Sequence, residues 1–228
     1  MYEFRTLQRH RVARHRRLFA LAALFAIAAA LLPARVGAHP HVWIKLETKP
    51  VIDPAGRVEG LEIYWLFDSF YTVFAVEEML TSDGSVDDAK LLALGRSNLE
   101  NLRPFNYFTN LHLNGAEIEI ANVEWFETGL KEGRLWMRFV VPLATPVNPR
   151  VGIFSYAVFD PSYYIDIAYA ESNHARLDEA NATDCQTDVE EAAPTFEAIS
   201  LAKSIDLGTT SSETLGEMFA QRVRLKCT

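Results

Sequence analysis

The sequence predicts an α+β fold: one mostly antiparallel β-sheet or sandwich domain with two inserted helices, behind an N-terminal signal peptide. Three observations predict it. Apolar and polar residues alternate with a period of two through most of the chain beyond residue 40. Helical spacing of apolar residues is concentrated between residues 70 and 102. No Gly/Ser/Pro-rich linker separates two cores. Composition agrees, because 49% of the 228 residues are hydrophobic and 23% are charged. That is too apolar for a disordered chain and too charged for a polytopic membrane protein.

Residues 1–38 read as an address. Arg5, Arg9, Arg11, Arg14, Arg16 and Arg17 precede an apolar run from Leu18 to Leu32, then Pro33 and the small-residue stretch Val36-Gly37-Ala38. A basic segment, an apolar segment and a small-x-small cleavage site make an export signal. The run falls short of the ~20 residues that a bilayer-spanning helix needs, and an uncleaved anchor is the alternative. Cleavage after Ala38 leaves residues 39–228 as a single periplasmic β-rich domain with no stable membrane span. The signal type points to the bacterial periplasm.

The domain opens with alternation over His41–Thr48, a half-buried strand. After a turn at Pro50–Gly56, Val58–Phe67 is apolar on both faces toward its end and reads as a central strand. Phe70–Leu80 carries a helical stripe of Phe70, Val73, Phe74, Met79 and Leu80. Asp87 or Asp88 can cap a second helix over 89–102, which Arg103-Pro104 ends. Strands are expected over Phe105–Leu113, Ala116–Glu127 and Arg134–Pro142, the first two joined by Asn114-Gly115, a strong hairpin signal. Thr128–Gly133 reads as the second connection. Val151–Phe159 and Tyr163–Tyr169 flank the turn at Asp160-Pro161-Ser162. Residues 171–194 read as an acidic loop with a short strand near Thr183–Val189. Residues 195–210 are weakly patterned. A helical turn near Leu215–Phe219 and a last strand at Val223–Cys227 complete the chain.

Charge narrows the partners. The whole chain carries −8; seven of its 22 basic residues and one of its 30 acidic residues lie in residues 1–38, leaving −14 on the remainder. Phosphate backbones need clustered Lys and Arg, so nucleic acid is excluded as a partner, and cationic partners are favoured. Cys185 and Cys227 are the only cysteines. An even count in an exported chain predicts one disulfide, stabilising by about 3–4 kcal/mol across a loop of roughly 40 residues.

The sequence offers metal-ligand chemistry more readily than catalysis. His39-Pro40-His41 would stand at the mature terminus, with two imidazoles on one side of an extended segment and an amine beside them. Nitrogen donors suit Zn, Ni and Cu. The square-planar amino-terminal chelate cannot form in full, because Pro40 has no N–H to lose. The competing reading is a frayed terminus. Asp68 ends an apolar strand, where a carboxylate must be exposed, cap the next helix or meet a cation. Asp160 reads first as a turn residue. Asp166, between Ile165 and Ile167, is less easily explained as structure. His112 reads as a half-exposed strand residue and His174 as a loop residue. The acidic segment with Asp178, Glu179, Asp184, Asp188, Glu190 and Glu191 reads as a solvated loop rather than a cation sponge. Hydrolase, phosphate-loop, His-Glu-x-x-His and Cys-x-x-Cys motifs are missing from the sequence.

His39-Pro40-His41-Val42-Trp43-Ile44, Trp65-x-Phe67-Asp68-x-Phe70-Tyr71 and Asp160-Pro161-x-Tyr163-Tyr164 together resemble a family of periplasmic proteins of unknown function. The tail Gly216-Glu217-x-Phe219-Ala220-x-Arg222-Val223, ending at Cys227, fits as well. That family is also described as the periplasmic component of an uncharacterised ABC-type transport system. The resemblance implies an accessory protein for an inner-membrane permease of nickel, cobalt or zinc. Its divalent transition metal, Zn or Ni, would be held by His39, His41 and Asp68, with Asp160 and Asp166 as further candidates. Two other expectations stand beside it: a metal-free module docking on a permease, and a copper enzyme using His39 as a brace.

Overall fold

Alternation of inward and outward side chains organises ten strands, among the described residues, into two five-stranded sheets. The structure is a computed structural model that describes residues 40–171, 174–177, 184–205 and 214–227. The strands are β1 (Val42–Ile52), β2 (Val58–Phe67), β3 (Thr109–Leu113), β4 (Ala116–Glu117), β5 (Phe126–Lys131), β6 (Arg134–Val147), β7 (Phe154–Val158), β8 (Ile165–Tyr169), β9 (Cys185–Glu190) and β10 (Arg222–Cys227). The first sheet has the order β5-β6-β2-β1-β8 and the second β4-β3-β7-β10-β9. Every pairing is antiparallel except β1 with β8. The fold is therefore α+β, with helices α1 (Ser69–Val76), α2 (Asp88–Leu102) and α3 (Phe196–Ser204).

One apolar core joins both sheets. Ile44, Leu46, Leu61, Ile63, Trp65, Met137 and Phe139 come from the first; Leu111, Phe154, Tyr156, Val223 and Leu225 come from the second. Each such side chain contributes about 1.5–3 kcal/mol when fully buried. Trp65 meets Phe139 edge-on, with ring centroids 4.9 Å apart. The buried hydroxyl of Thr48 bonds to those of Tyr156 and Tyr169 at 3.0 and 2.8 Å, so three polar groups in the core satisfy one another. Burial pushes the Tyr156 and Tyr169 phenols above their ordinary range.

Several sequence expectations are corrected. The stripe Phe70, Val73 and Phe74 faces outward, at 82%, 66% and 77% exposure, while Thr72 and Val76 are buried. The helix phase is set by polar anchors: Asp68 caps it, and the Thr72 hydroxyl donates to the Asp68 carbonyl and accepts from the Leu135 N–H. Phe105–Leu113 is a strand only from Thr109, because Asn106, Tyr107 and Phe108 all take positive φ. Ala116–Glu127 pairs only at its two ends, with a bridge between Ile120 and Leu143. The span read as a connection, Thr128–Gly133, is mostly β5, whose turn shrinks to Glu132-Gly133 with both residues at positive φ. The weakly patterned 195–210 stretch contains α3, capped by Thr195.

Cys185 and Cys227 form the expected disulfide, joining directly opposed residues of β9 and β10. The short strand expected near Thr183–Val189 is β9, Asp178 and Glu179 lie outside the described residues, and the described acidic side chains are paired. Asp188 pairs with Lys226 at 2.9 Å, Glu190 with Arg224 at 2.6 Å, and Asp184 with Arg150 at 2.6 Å. No helix of the described residues is long and apolar enough to cross a membrane. The expected signal segment and His39 lie outside the described residues.

Candidate functional site

The start of β1 is held on both sides. Trp43 lies opposite Asp166 of β8 in the parallel register. On the other side the β1–β2 ladder runs out at Asp68, whose N–H donates to the Trp43 carbonyl at 2.9 Å. The Trp43 N–H in turn donates to Asp68 Oδ2 at 3.0 Å. Strands lie about 4.8 Å apart, so Asp68, just beyond the end of β2, and Asp166 of β8 stand on either side of Trp43 with roughly 10 Å between their strands. Alternation places the His41 side chain on the same side of β1 as that of Trp43. The His41 N–H donates to the Tyr164 carbonyl at 2.9 Å, and its ring lies against the Tyr164 ring with centroids 4.8 Å apart.

The two corner carboxylates differ. Asp68 Oδ1 accepts the Tyr71 N–H at 2.8 Å, closing the first turn of α1, while Oδ2 reaches Trp43. It thus ties a helix cap to a strand start, and each oxygen keeps one further lone pair. Arg134 sits close by, but its guanidinium donates to the Phe67 and Leu66 carbonyls at 2.7 and 3.3 Å. Asp166 is half-buried, and no hydrogen bond or ion pair reaches it among the described residues. Desolvation holds its carboxyl above the ordinary carboxylate range. Burial and the Asp166 charge together push the neighbouring Tyr163 phenol up to about 12.

Asp160 is placed elsewhere in role. It is 5% exposed. Its Oδ1 accepts the Ser162 N–H and hydroxyl at 2.9 and 2.8 Å, and its Oδ2 accepts the Ile165 N–H at 2.9 Å. This carboxylate locks the turn that delivers Asp166 to its position. The turn is braced from the tail: Gly216 donates to the Pro161 carbonyl at 2.9 Å, and a Cβ at Gly216 would stand 1.8 Å from the Asp160 carbonyl oxygen. Tyr163 stacks on Phe219 with centroids 3.9 Å apart. Two motifs far apart in sequence therefore meet as one lock.

His112, on β3, and His174 belong to neither arrangement. Among the described residues no group of three or more His, Cys, Asp or Glu side chains is drawn together closely enough to hold a metal ion. His41, Asp68 and Asp166 thus lie around the start of β1 without closing a coordination shell. Sequence reasoning missed the part played by Trp43, whose backbone is the piece both carboxylates flank. Its signal was the register implied by two strands that end in aspartate or begin beside one.

Residues 24–227 match a protein family described as a protein of unknown function (DUF1007). An uncharacterized protein of Haemophilus influenzae is 25% identical over 191 residues, covering 83% of this chain and 91% of that protein. An uncharacterized 15.5 kDa protein in the trpE 3′ region of Spirochaeta aurantia is 26% identical over 98 residues, covering 43% of this chain and 69% of that protein. No solved structure matches the chain.

Proposed function

This chain belongs to the DUF1007 family, and from that premise we propose that it is a periplasmic accessory protein of a transition-metal transport system, binding Zn²⁺ or Ni²⁺ and passing it to an inner-membrane permease. The role is one of binding rather than catalysis. One observation carries this reading: two carboxylates, Asp68 beyond the end of β2 and Asp166 on β8, stand on either side of Trp43, two residues after His41. Asp166 is half-buried with no cation beside it among the described residues, and a carboxylate so placed is stabilised by a divalent ion. Mixed imidazole and carboxylate donors suit both metals. A closed shell needs one more donor, and the sequence offers His39, two positions upstream of His41. Asp160 serves as a positioning residue, because its oxygens already hold the turn. The disulfide fits an exported protein, and the basic and apolar segments of residues 1–38 supply the export signal.

A second observation supports the permease as partner. α1 begins just after its cap Asp68, so its exposed Phe70, Val73 and Phe74 stand beside the proposed metal corner. Glu77 and Glu78 follow, both exposed. An apolar helix face rimmed by acid suits an apolar, base-rimmed periplasmic surface of a membrane protein.

The test is calorimetric titration of the exported protein with Zn²⁺ and with Ni²⁺. One tight site is expected, weakened at least tenfold in the His39→Ala/His41→Ala variant and lost below about pH 6 as the imidazoles protonate. Equal affinity in that variant would falsify the metal reading. Capture of the permease by metal-free protein, abolished by Phe70→Ser/Phe74→Ser, would leave docking as the function.

A further inference from the structure

We propose that the outer face of the first sheet carries a second site, unrelated to the metal corner, for a ring compound bearing a carboxylate. The site is a cleft of about 440 Å³ whose walls include Tyr64, Trp136, Lys131, Arg138, Arg176 and Glu47.

Its floor is a flat aromatic surface. A Cβ added to Gly129 of β5 would stand 2.9, 3.0 and 3.0 Å from Nε1, Cε2 and Cζ2 of Trp136. Three ring atoms nearly equidistant from one point above the strand mean that the indole lies face-on to the sheet. Only glycine at 129 permits that approach. Trp136 also lines the cleft. Tyr64 extends the floor, its ring nearly parallel to that of Trp136 with centroids 5.8 Å apart and planes 24° apart. A broad, flat aromatic surface stacks on the face of a sugar or aromatic ring.

The rim carries the charge that selects among rings. Lys131, Arg138 and Arg176 face one carboxylate, Glu47, which is taken up by Arg176 at 2.7 Å. This local excess of cations stands on a domain with a net charge of −14, as counted above. Arg138 is only partly satisfied. Its guanidinium lies over the Tyr64 ring at 5.6 Å, its ion pair with Glu127 stretches to 4.0 Å, and its buried Nε has no hydrogen-bond partner among the described residues. A planar guanidinium with unused donors beside an aromatic floor fits a carboxylate carried on a stacked ring. Such rings occur both as sugar acids of glycans and as small aromatic acids.

The experiment follows the indole N–H resonances of ¹⁵N-labelled exported protein in the presence of a chelator, so that the metal reading plays no part. Glucuronate and benzoate are titrated, with glucose and benzyl alcohol as neutral counterparts. The resonance that vanishes in Trp136→Phe should shift with an acid and not with its neutral counterpart. The tighter of the two acids identifies the source class. Arg138→Gln, a surface change, should weaken binding about tenfold or more. Gly129→Ala, which lifts the indole from the sheet, should abolish it. The proposal is overturned if neither acid moves that resonance at millimolar concentration. It is also overturned if the neutral counterparts shift it equally and Arg138→Gln changes nothing.

Discussion

Acidic side chains in two regions of this molecule meet opposite fates. On the β9–β10 ribbon, Asp184, Asp188, Glu190 and Glu191 each find a partner in Arg150, Lys226, Arg224 and Gln221. At the start of β1, Asp68 is occupied by backbone N–H groups, and Asp166 meets neither a donor nor a cation among the described residues. The ribbon is the more acidic in sequence, yet Asp188 and Glu190 hold its two strands together and Asp184 and Glu191 are taken up by flanking residues. The corner has fewer carboxylates and one of them is unspent. What distinguishes a structural acid from a candidate ligand is therefore its neighbours in space, and not the density of acids along the chain.

The largest effect that would sharpen this contrast lies on the ribbon. Its Cys185–Cys227 bond spans a sequence separation of 42. Replacing both cysteines by serine should cost about 4 kcal/mol in the chain-entropy model, read by denaturant unfolding. A loss of only a few tenths would mean that the ion pairs hold the ribbon without the cross-link. At the corner, Asp68→Ala removes both the α1 cap and the acceptor for Trp43, and should cost about 1–2 kcal/mol in thermal unfolding. Asp68→Asn should recover part of that, because one side-chain oxygen remains as an acceptor.

Asp166→Asn should have the opposite sign. The folded-state pKa of Asp166 is raised, so the folded chain holds that proton more tightly than the unfolded chain does. The ionised carboxylate therefore costs stability at neutral pH, and that cost disappears as pH falls through the raised value. The variant should melt slightly higher than wild type at pH 7 and equally in acid, the gain being a fraction of a kcal/mol because the side chain is partly exposed. The ribbon should respond in reverse. Asp184 is held below the ordinary carboxylate range by the Arg150 hydrogen bond, and Asp188 by that of Lys226. Their contribution is present above the unfolded-state carboxylate pKa and is lost as pH falls through the lowered folded values. Smallest of all, Arg224→Gln should cost about 0.2–1 kcal/mol, and the loss should fade in high salt. A salt-insensitive loss would contradict the surface character of that pair.

Much of this architecture was legible in the sequence because alternation reports burial directly. Val42, Ile44 and Leu46 face the core as their period requires. So do Leu61, Ile63 and Trp65. Asp87 was legible as a cap, since its side chain can only serve the N–H groups that follow it. The α1 stripe was misread because three aromatic and aliphatic residues at helical spacing dominate the pattern. The phase is decided instead by Asp68, by the Thr72 hydroxyl, and by Tyr71 stacking on Phe67 with centroids 5.0 Å apart. Residues 106–108 were misread because three consecutive left-handed residues without glycine have no local signal. Tyr107 is buried and accepts the Val123 N–H at 3.1 Å, a contact made across sixteen residues. At the candidate site, the individual residue types were visible. Their grouping was not, because it depends on the parallel β1–β8 register, which pairs segments more than 120 residues apart.

The most direct test of the central claim is the position of bound metal. Crystals of the exported protein grown with Zn²⁺ should show an anomalous peak at the zinc edge on the first sheet, within coordinating distance of the His41 imidazole and of the Asp68 and Asp166 carboxylates. A peak confined to the β9–β10 ribbon, or none with the start of β1 well ordered, would contradict the account.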